Sequence, residues 1–489
     1  MSSEPHIVVI GGGITGLVAA RSLLRGEGPE RPRVTVLEAE KRVGGKIRSV
    51  SIAGQTTDVG AEGLLARVPS AVELCRELGL EDELLAPVQT TISVWTRGRL
   101  RELPGGILSG LPDGIRPVLR SGILSPAGIA RAALDLVLPA TPANGDRAVG
   151  ELVRGRLGHQ ALERLVDPLL GTIYASDCDH LSMRATAPQL DALAREHRSL
   201  IRGLRAARPV TQAGPVFVTL PGGLERIVTR LRDELRDAEI RCGSSVTLVT
   251  HAENGRYRVE VPGSEPLLAD GVIVAAPAYE ASRILRELSP GAASELHGIG
   301  YASIGVITLV YPADAAALPL RGSGFLVPQT EGRLLDACTL SSVKWPHFAG
   351  TGEVLVRCAV GRTDAASVLA LEDHTLVARV AGELREAIGL RGPPIASRVT
   401  RWERALPRYE PGHIDRVARI EDELPGLPGV ALAGSAYRGI GVPQCITQGK
   451  SAAERVLAAI GPPADSRRSL RLSGDVRALE DRRDRRSHS

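Results

Sequence analysis

Several short segments of the chain are made almost entirely of apolar residues and lead into glycine, proline or an acidic residue. Runs of this length are typical of strands buried on both faces of a parallel sheet that is covered by helices. We therefore predict a βαβ arrangement that starts near the N-terminus, resumes near residue 217 and closes near residue 434. The predicted strands are 7–10, 34–37, 217–220, 246–249, 271–277 and 430–434, with helices ending at 237 and covering 445–460.

A second set of strand-like segments predicts another, largely antiparallel sheet. It comprises 300–310, 324–328, 334–341, 353–360 and 396–402, beside a helix at 372–388. One further strand is expected at 92–96, before the hairpin-like Arg97-Gly98-Arg99. Residues 105–205 have few strand signals and are mainly helical in pattern, so we expect a helical insertion.

A glycine-rich turn, Gly11-Gly-Gly13-Ile-Thr-Gly16, follows the first predicted strand. Gly11 permits a sharp turn, Gly13 lets the backbone approach a pyrophosphate, and Gly16 lets helix and strand pack closely. Glu38, 22 residues after Gly16, is placed to accept the ribose hydroxyls and disfavours a 2′-phosphate. Glycine-rich turns also close ordinary βα units, so the motif alone leaves both interpretations open.

A second glycine loop, Arg42-Val-Gly44-Gly45-Lys46, comes shortly after Glu38. Two glycines and two cations there suggest a loop that folds over the same pyrophosphate. Lys46 can neutralise phosphate charge without bidentate geometry, although a solvated surface lysine is the alternative. The combination resembles flavoproteins of the amine oxidase and protoporphyrinogen oxidase superfamily more than nicotinamide dehydrogenases, so FAD is the leading cofactor.

Composition and charge argue against several other classes of protein. Net charge is only +4, aromatic residues are 3%, and the only dense basic run lies in the last 25 residues, so nucleic-acid binding is not expected. The six cysteines are scattered without a C-x-x-C, which predicts neither a disulfide framework nor a metal site. The N-terminus has no leader pattern and no run reaches about 18 apolar residues. We expect a cytoplasmic protein with at most peripheral membrane contact.

Segments along most of the chain narrow the resemblance to the coproporphyrinogen and protoporphyrinogen oxidase family, over roughly residues 5–460. The pattern is nearest to the actinobacterial coproporphyrinogen III oxidase type. Besides the two glycine loops, the matching segments are 96–100 with Leu103-Pro104, 171–176 with Leu181-Ser182, 196–200, 324–328 and 434–441.

Together, pattern and resemblance predict an α/β fold with a Rossmann-type FAD-binding domain, a mixed or antiparallel-sheet substrate domain and a helical insertion. The FAD-binding domain is expected to be discontinuous. The predicted limits are 1–65, 215–298 and 425–460 for FAD binding, 66–104 and 299–424 for substrate, 105–214 for the helical domain, and 461–489 for a disordered tail.

The resemblance also implies which residues contact FAD, without a covalent bond. Val246 is expected to meet adenine through its backbone, and Trp402 could equally be a core anchor. Cys445 is the only cysteine expected near the flavin. The implied contacts are Gly11, Gly12, Gly13, Ile14, Thr15, Gly16, Glu38, Ala39, Lys46, Gly60, Ala61, Glu62, Gly63, Val246, Trp402, Gly441, Val442 and Pro443.

The reaction implied by the resemblance is oxidation of coproporphyrinogen III to coproporphyrin III in haem biosynthesis, with O₂ reduced to H₂O₂. The resemblance implies that the flavin itself removes hydride from the substrate, so no catalytic base is assigned. Alternatives are a protoporphyrinogen IX oxidase, an amine oxidase-like enzyme on another substrate, or a non-catalytic flavin-binding partner of haem-pathway enzymes. The oligomeric state stays open.

The segments expected to face the substrate depart from the family pattern. Ile92 stands where a basic residue often pairs with a propionate, and Thr172 and Ser176 replace two glycines. Arg67 or Lys344 could supply the missing positive charge, and Lys344 could instead lie near flavin N5 as in amine oxidases. The substrate candidates are Arg67, Thr172, Leu326 and Lys344.

Overall fold

The computed structural model describes residues 4–26, 31–104, 107–108, 110–112, 115–140, 145–207, 214–362 and 364–460. The tail predicted to be disordered, 461–489, lies outside these residues. The strands are β1 His6–Ile10, β2 Arg33–Glu38, β3 Ser49–Ile52, β4 Gln55–Asp58, β5 Leu64–Leu65, β6 Ile92–Thr96, β7 Arg99–Glu102, β8 Ile107–Leu108, β9 Leu111–Pro112, β10 Phe217–Val218, β11 Glu239–Cys242, β12 Leu248–His251, β13 Tyr257–Glu260, β14 Leu267–Ala269, β15 Gly271–Val274, β16 Tyr301–Pro312, β17 Gly324–Leu326, β18 Leu335–Thr339, β19 Glu353–Val360, β20 Ala396–Pro407 and β21 Val430–Leu432.

Helices connect the strands along the chain and pack against the sheets. A π-helical turn, Leu162–Val166, joins α6 to α7. The helices are α1 Ile14–Arg25, α2 Pro69–Glu77, α3 Ile115–Ser121, α4 Pro126–Ala133, α5 Val149–Leu157, α6 His159–Ala161, α7 Asp167–Tyr174, α8 Met183–Thr186, α9 Pro188–Glu196, α10 Leu200–Ala206, α11 Glu225–Glu234, α12 Ala278–Leu285, α13 Pro290–His297, α14 Ser341–Lys344, α15 Ala365–Leu369, α16 Asp373–Ile388, α17 His413–Glu423 and α18 Val442–Ile460.

A five-stranded parallel sheet has the order β11-β2-β1-β15-β21. Every residue of β1 is buried, as expected of a central parallel strand. Helices α1 and α18 pack on one face, while α12 and the small β12-β13-β14 sheet pack on the other. From β1 the sheet extends to one side through β2 and β11 and to the other side through β15 and β21. The order of strands therefore reverses between β1 and β15, and such sheets bind nucleotides in the crevice at this position, outside the carboxyl ends of the strands.

The predicted parallel strands at 217–220 and 246–249 are wrong. Residues 217–218 form β10, which pairs antiparallel with β5 outside the parallel sheet. The parallel strand in that part of the chain is β11, and the chain then continues into β12 of the antiparallel three-stranded sheet. Strand β11 was not predicted because it lies at a sheet edge, and none of its four residues is buried. The apolar residues of 246–249 are buried on the outer face of the sheet instead.

A seven-stranded sheet has the order β20-β16-β19-β18-β17-β6-β7. All its pairs are antiparallel except β17 with β6, so the sheet is mixed, as predicted. Helix α16 packs against its β16 and β20 strands. The strands predicted at 92–96, 300–310, 324–328, 334–341, 353–360 and 396–402 all belong to this sheet.

Helices α3–α10 form a third layer with its own apolar core, which includes Leu152, Leu165 and Leu190. The α/β architecture with a helical insertion therefore matches the prediction. No helix within the described residues is both long and apolar enough to cross a bilayer.

Candidate functional site

The first glycine turn lies in the crevice between β1 and β15. Gly11 has φ +107°, and a Cβ there would come within 2.7 Å of the Ala275 carbonyl oxygen. A Cβ on Gly16 would come within 1.9 Å of the Gly11 oxygen, so helix α1 can approach the strand only because Gly16 has no side chain. By contrast, no described heavy atom lies within 4 Å of a Cβ built on Gly13. The turn is thus packed tightly against the protein backbone at Gly11 and Gly16, whereas Gly13 borders open space.

The second glycine loop folds onto the first. Gly44 N donates to Gly12 O at 2.8 Å, and Gly13 and Gly44 form a parallel bridge. Arg42 braces this loop from inside, because its Nη2 donates to Gly45 O at 2.9 Å. The structure therefore brings the two glycine loops to one place, and the charge of Arg42 is paired with Glu225 at 3.2 Å.

Glu38 ends β2 beside the first turn. Its Oε2 accepts from Gly12 N at 2.6 Å and its Oε1 accepts from Glu40 N at 2.8 Å. The carboxylate is thereby fixed at the edge of the crevice. The segment before Val246 passes the end of β2, where Ser244 N donates to Glu38 O at 2.8 Å. The Val246 carbonyl accepts from Arg283 Nη2 at 2.8 Å. Val246 as a whole is buried, so its backbone contact with adenine stays a prediction.

Lys46 has an environment that suits an anion. Its Nζ donates to Ala405 O at 2.8 Å, and among the described residues it has no carboxylate partner. Lys46 is exposed to solvent, but the protein atoms packed around its ammonium still desolvate it enough to lower its pKa. A phosphate beside the ammonium would compensate for the lost hydration.

The turn at 60–63 packs beside Lys46. A Cβ on Gly60 would lie 1.9 Å from the Lys46 carbonyl oxygen, and Arg357 donates to the Gly60 carbonyl. Trp402 Nε1 donates to Val59 O at 2.7 Å, so its ring lies against the same turn. Trp402 is half-buried and therefore retains a surface for a ligand.

Glu62 forms a nearly buried ion pair in this turn. Its carboxylate accepts from Ser341 Oγ at 2.7 Å and from Lys344 Nζ at 3.1 Å. Burial opposes ionisation of Glu62, but the positive charges of Lys344 and Arg357 outweigh it and keep the pKa of Glu62 below its ordinary value. The Lys344 ammonium also lies 4.5 Å from the centroid of the Trp345 ring. Glu62 therefore already uses the charge of Lys344, and Lys344 is a weaker candidate for binding a substrate carboxylate.

The N-terminus of α18 lies near α2, and the helix packs on both α1 and α2. Helix α18 starts at Val442, immediately after Gly441, and Pro443 O accepts from Ser70 Oγ at 2.8 Å. Burial raises the pKa of the Cys445 thiol, so this cysteine is not a ready nucleophile. The remaining predicted cofactor residues flank these segments: Ile14 and Thr15 in the buried first turn of α1, exposed Ala39 after β2, and half-buried Ala61 and Gly63.

The other substrate candidates are on different elements. Arg67 is exposed between β5 and α2 and makes no ion pair with a described residue. Leu326 is buried on β17, next to the strand that carries Ile92. On α7, Thr172 Oγ1 donates to Pro168 O at 2.6 Å, so its hydroxyl is used within the helix. No contact among described residues brings these candidates directly together.

Sequence reasoning missed the pairs that fix this region. Arg362 donates to both the carbonyl and the carboxylate of Asp167, and Arg357 supports the turn at Gly60. No local motif signals such contacts, because Asp167 and Arg362 are 195 residues apart. The unusual burial of arginine could not be recognised before the fold was known.

Comparison with known proteins gives the family. Residues 14–457 match the family described as flavin containing amine oxidoreductase. The coproporphyrinogen III oxidase of Bacillus subtilis (strain 168) is 35% identical, over 93% of this chain and 98% of its own length. That of Mycobacterium leprae (strain TN) is also 35% identical, over 94% and 100%.

A solved structure supports the same assignment. A protein of Exiguobacterium sp. 255-15, provisionally assigned as a protoporphyrinogen oxidase, has a TM-score of 0.83 and 31% identity, covering 93% of this chain and 98% of that one. The resemblance stated from sequence is therefore confirmed, as is the prediction of a flavin cofactor. The chain belongs to the flavin containing amine oxidoreductase family, together with its coproporphyrinogen III oxidase relatives.

Proposed function

We propose that FAD lies in the β1–β15 crevice, held by the residues predicted from the sequence. The open space in front of Gly13 accommodates the pyrophosphate, the Glu38 carboxylate receives the ribose hydroxyls, and Lys46 neutralises phosphate charge. Trp402 and the start of α18 border the ring system. When bound, the flavin supplies the hydride acceptor and passes its electrons to O₂.

We propose coproporphyrinogen III as the substrate, oxidised to coproporphyrin III with formation of H₂O₂. The observation that carries this proposal is the 35% identity to coproporphyrinogen III oxidases over nearly the whole chain. Arg67 supplies positive charge for a propionate because no described acid neutralises it. Ile92 and the exposed side of α7 supply apolar surface for the macrocycle, and Leu326, buried on the neighbouring strand β17, supports this surface.

The chain's own residues orient the substrate and shape the site. Glu62 and Lys344 compensate each other's charge and hold the turn at 60–63 in place. Pyrrole protons can leave to solvent or to backbone carbonyls, so no side chain is assigned as base. Haem-pathway enzymes as partners and a cytoplasmic location belong to the same proposal.

Protoporphyrinogen IX is the second candidate substrate. The Exiguobacterium protein, provisionally assigned as a protoporphyrinogen oxidase, favours it. Protoporphyrinogen has two carboxylates where coproporphyrinogen has four. A site that departs from the family's basic position at Ile92 therefore needs a direct comparison of the two substrates.

The decisive experiment follows porphyrin fluorescence and H₂O₂ formation with both porphyrinogens. We expect a yellow protein that oxidises coproporphyrinogen with the higher kcat/KM, above the rate of spontaneous oxidation with heat-inactivated protein. Acid precipitation should release all the flavin. A colourless protein, or one that oxidises neither porphyrinogen, would contradict the proposal, and flavin retained in the pellet would implicate Cys445 in covalent attachment.

A further inference from the structure

Arg362 connects the helical layer to the seven-stranded sheet. It follows the end of β19 and is 9% exposed. Its Nη1 donates to Asp167 O at 2.7 Å and its Nη2 donates to the Asp167 carboxylate, while its backbone N donates to Asp336 Oδ2 at 2.9 Å. Asp167 is the first residue of α7 and Asp336 lies on β18. One guanidinium therefore fixes the start of α7 to the sheet.

The other end of α7 contacts Tyr409, which in turn hydrogen-bonds to the loop before α18. The rings of Tyr174 and Tyr409 have centroids 5.9 Å apart. Tyr409 OH donates to Ser435 O at 2.6 Å and accepts from Gly439 N at 2.8 Å. Helix α7 is thus connected at one end to the seven-stranded sheet and at the other, through Tyr409, to the loop expected beside the flavin.

The middle of α7 is pressed against the same guanidinium. A Cβ on Gly171 would lie 2.4 Å from Arg362 Nη1, so only glycine permits this approach. The next two residues are Thr172, whose hydroxyl bonds back to the helix, and Ile173, which is 48% exposed. The position of Arg362 therefore sets how far this apolar surface stands from the sheet.

We propose that Arg362 is a positioning residue for the tetrapyrrole, acting through α7; this rests on the proposed function. The residue does not touch substrate. Its two bonds to Asp167, one to the backbone carbonyl and one to the carboxylate, hold α7 at one distance and one rotation, which a lysine point charge cannot reproduce. The apolar surface at Ile173 is thereby kept where it can support the macrocycle against the flavin.

The test compares Arg362→Lys with Arg156→Lys. Arg156 is a matched control because it makes a similar buried pair, with Asp135 in the same helical layer, at 2.5 Å. Both variants should lower Tm. We expect Arg362→Lys alone to raise KM for coproporphyrinogen about tenfold, since a small misplacement of a binding surface is enough for such an effect. FAD content should equal that of the wild type.

A second readout does not depend on turnover. Quenching of coproporphyrin fluorescence by the holoprotein gives Kd for the product, which should weaken in Arg362→Lys and stay unchanged in Arg156→Lys. Equal effects of the two variants on KM and Kd, or an effect of Arg362→Lys on Tm only, would overturn the inference. A wild-type protein that binds and oxidises neither porphyrinogen would refute the proposed function instead.

Discussion

The glycine crevice of the parallel sheet and the surroundings of α7 both depend on buried polar contacts, but of different kinds. In the crevice the donors are backbone N–H groups whose partners lie near in the chain, such as Gly12 N and the Glu38 carboxylate, 26 residues apart. Around α7 they are side-chain ion pairs between distant segments, such as Asp167 and Arg362. The first region keeps its unpaired groups for a ligand, whereas the second neutralises its charges internally.

Breaking the Glu62–Lys344 pair should give the largest effect. Lys344→Met leaves a nearly buried carboxylate with one fewer partner, and we expect unfolding free energy to fall by about 3–5 kcal/mol in urea titrations. Lys450→Met is the control, because its pair with Glu77 is more exposed and should be worth about 0–1 kcal/mol. Equal losses in the two variants would show that the pair at Glu62 is not specially buried.

The same pair predicts a pH dependence. Because the folded-state pKa of Glu62 lies below its ordinary value, its stabilisation is present above about pH 4.3 and is lost as pH falls through the folded-state pKa. The stability difference between wild type and Lys344→Met should therefore shrink in acid.

Filling the open space at Gly13 should separate cofactor binding from folding. In Gly13→Ala we expect FAD affinity to fall by about 1–3 kcal/mol, since the new methyl group occupies the pyrophosphate position. The Tm of the apoprotein should hardly change, because nothing described lies within 4 Å of that methyl group. Gly382→Ala, which also points into open space but on α16, should leave FAD affinity unchanged. Unaltered FAD affinity in Gly13→Ala would place the pyrophosphate elsewhere.

Removing the Glu38 carboxylate tests the other side of the crevice. Glu38→Ala should weaken FAD binding by about 1–3 kcal/mol and Glu38→Gln by less, because the amide still accepts one hydrogen bond. Neighbouring Glu40→Ala is the control. Isothermal titration of apoprotein with FAD measures all three, and full affinity in Glu38→Ala would reduce Glu38 to a bracing role for Gly12.

Neutralising Arg67 should have the smallest effect. A partly exposed ion pair is worth about 0.2–1 kcal/mol, so Arg67→Ala should raise KM for coproporphyrinogen several-fold, more at low salt and with little change in kcat. Protoporphyrinogen should be less affected because it carries fewer carboxylates. Arg286→Ala, directly after α12, is the control, and equal effects on the two substrates would argue against carboxylate binding by Arg67.

The contrast between the two regions explains which features could be predicted from sequence. Gly11–Gly16, Glu38 and the loop at Gly44 were recognisable because a nucleotide cradle uses glycine at fixed spacing, and buried strands are continuous apolar runs. The edge strand β11 has no such run and was missed. The partners of Glu62 and Asp167 depend on tertiary packing of remote segments, which no local pattern records.

The parallel sheet is assembled from three separate parts of the chain, and its last strand, β21, is followed by α18, which packs on α1. During synthesis more than four hundred residues separate the first strand, β1, from the last strand, β21, so the sheet can be completed only at the end. Such high contact order slows folding and leaves unpaired strand edges exposed to aggregation. Loss of the short C-terminal stretch that carries β21 and α18 would therefore leave β15 without its neighbouring strand and α1, near the N-terminus, without the helix that packs on it.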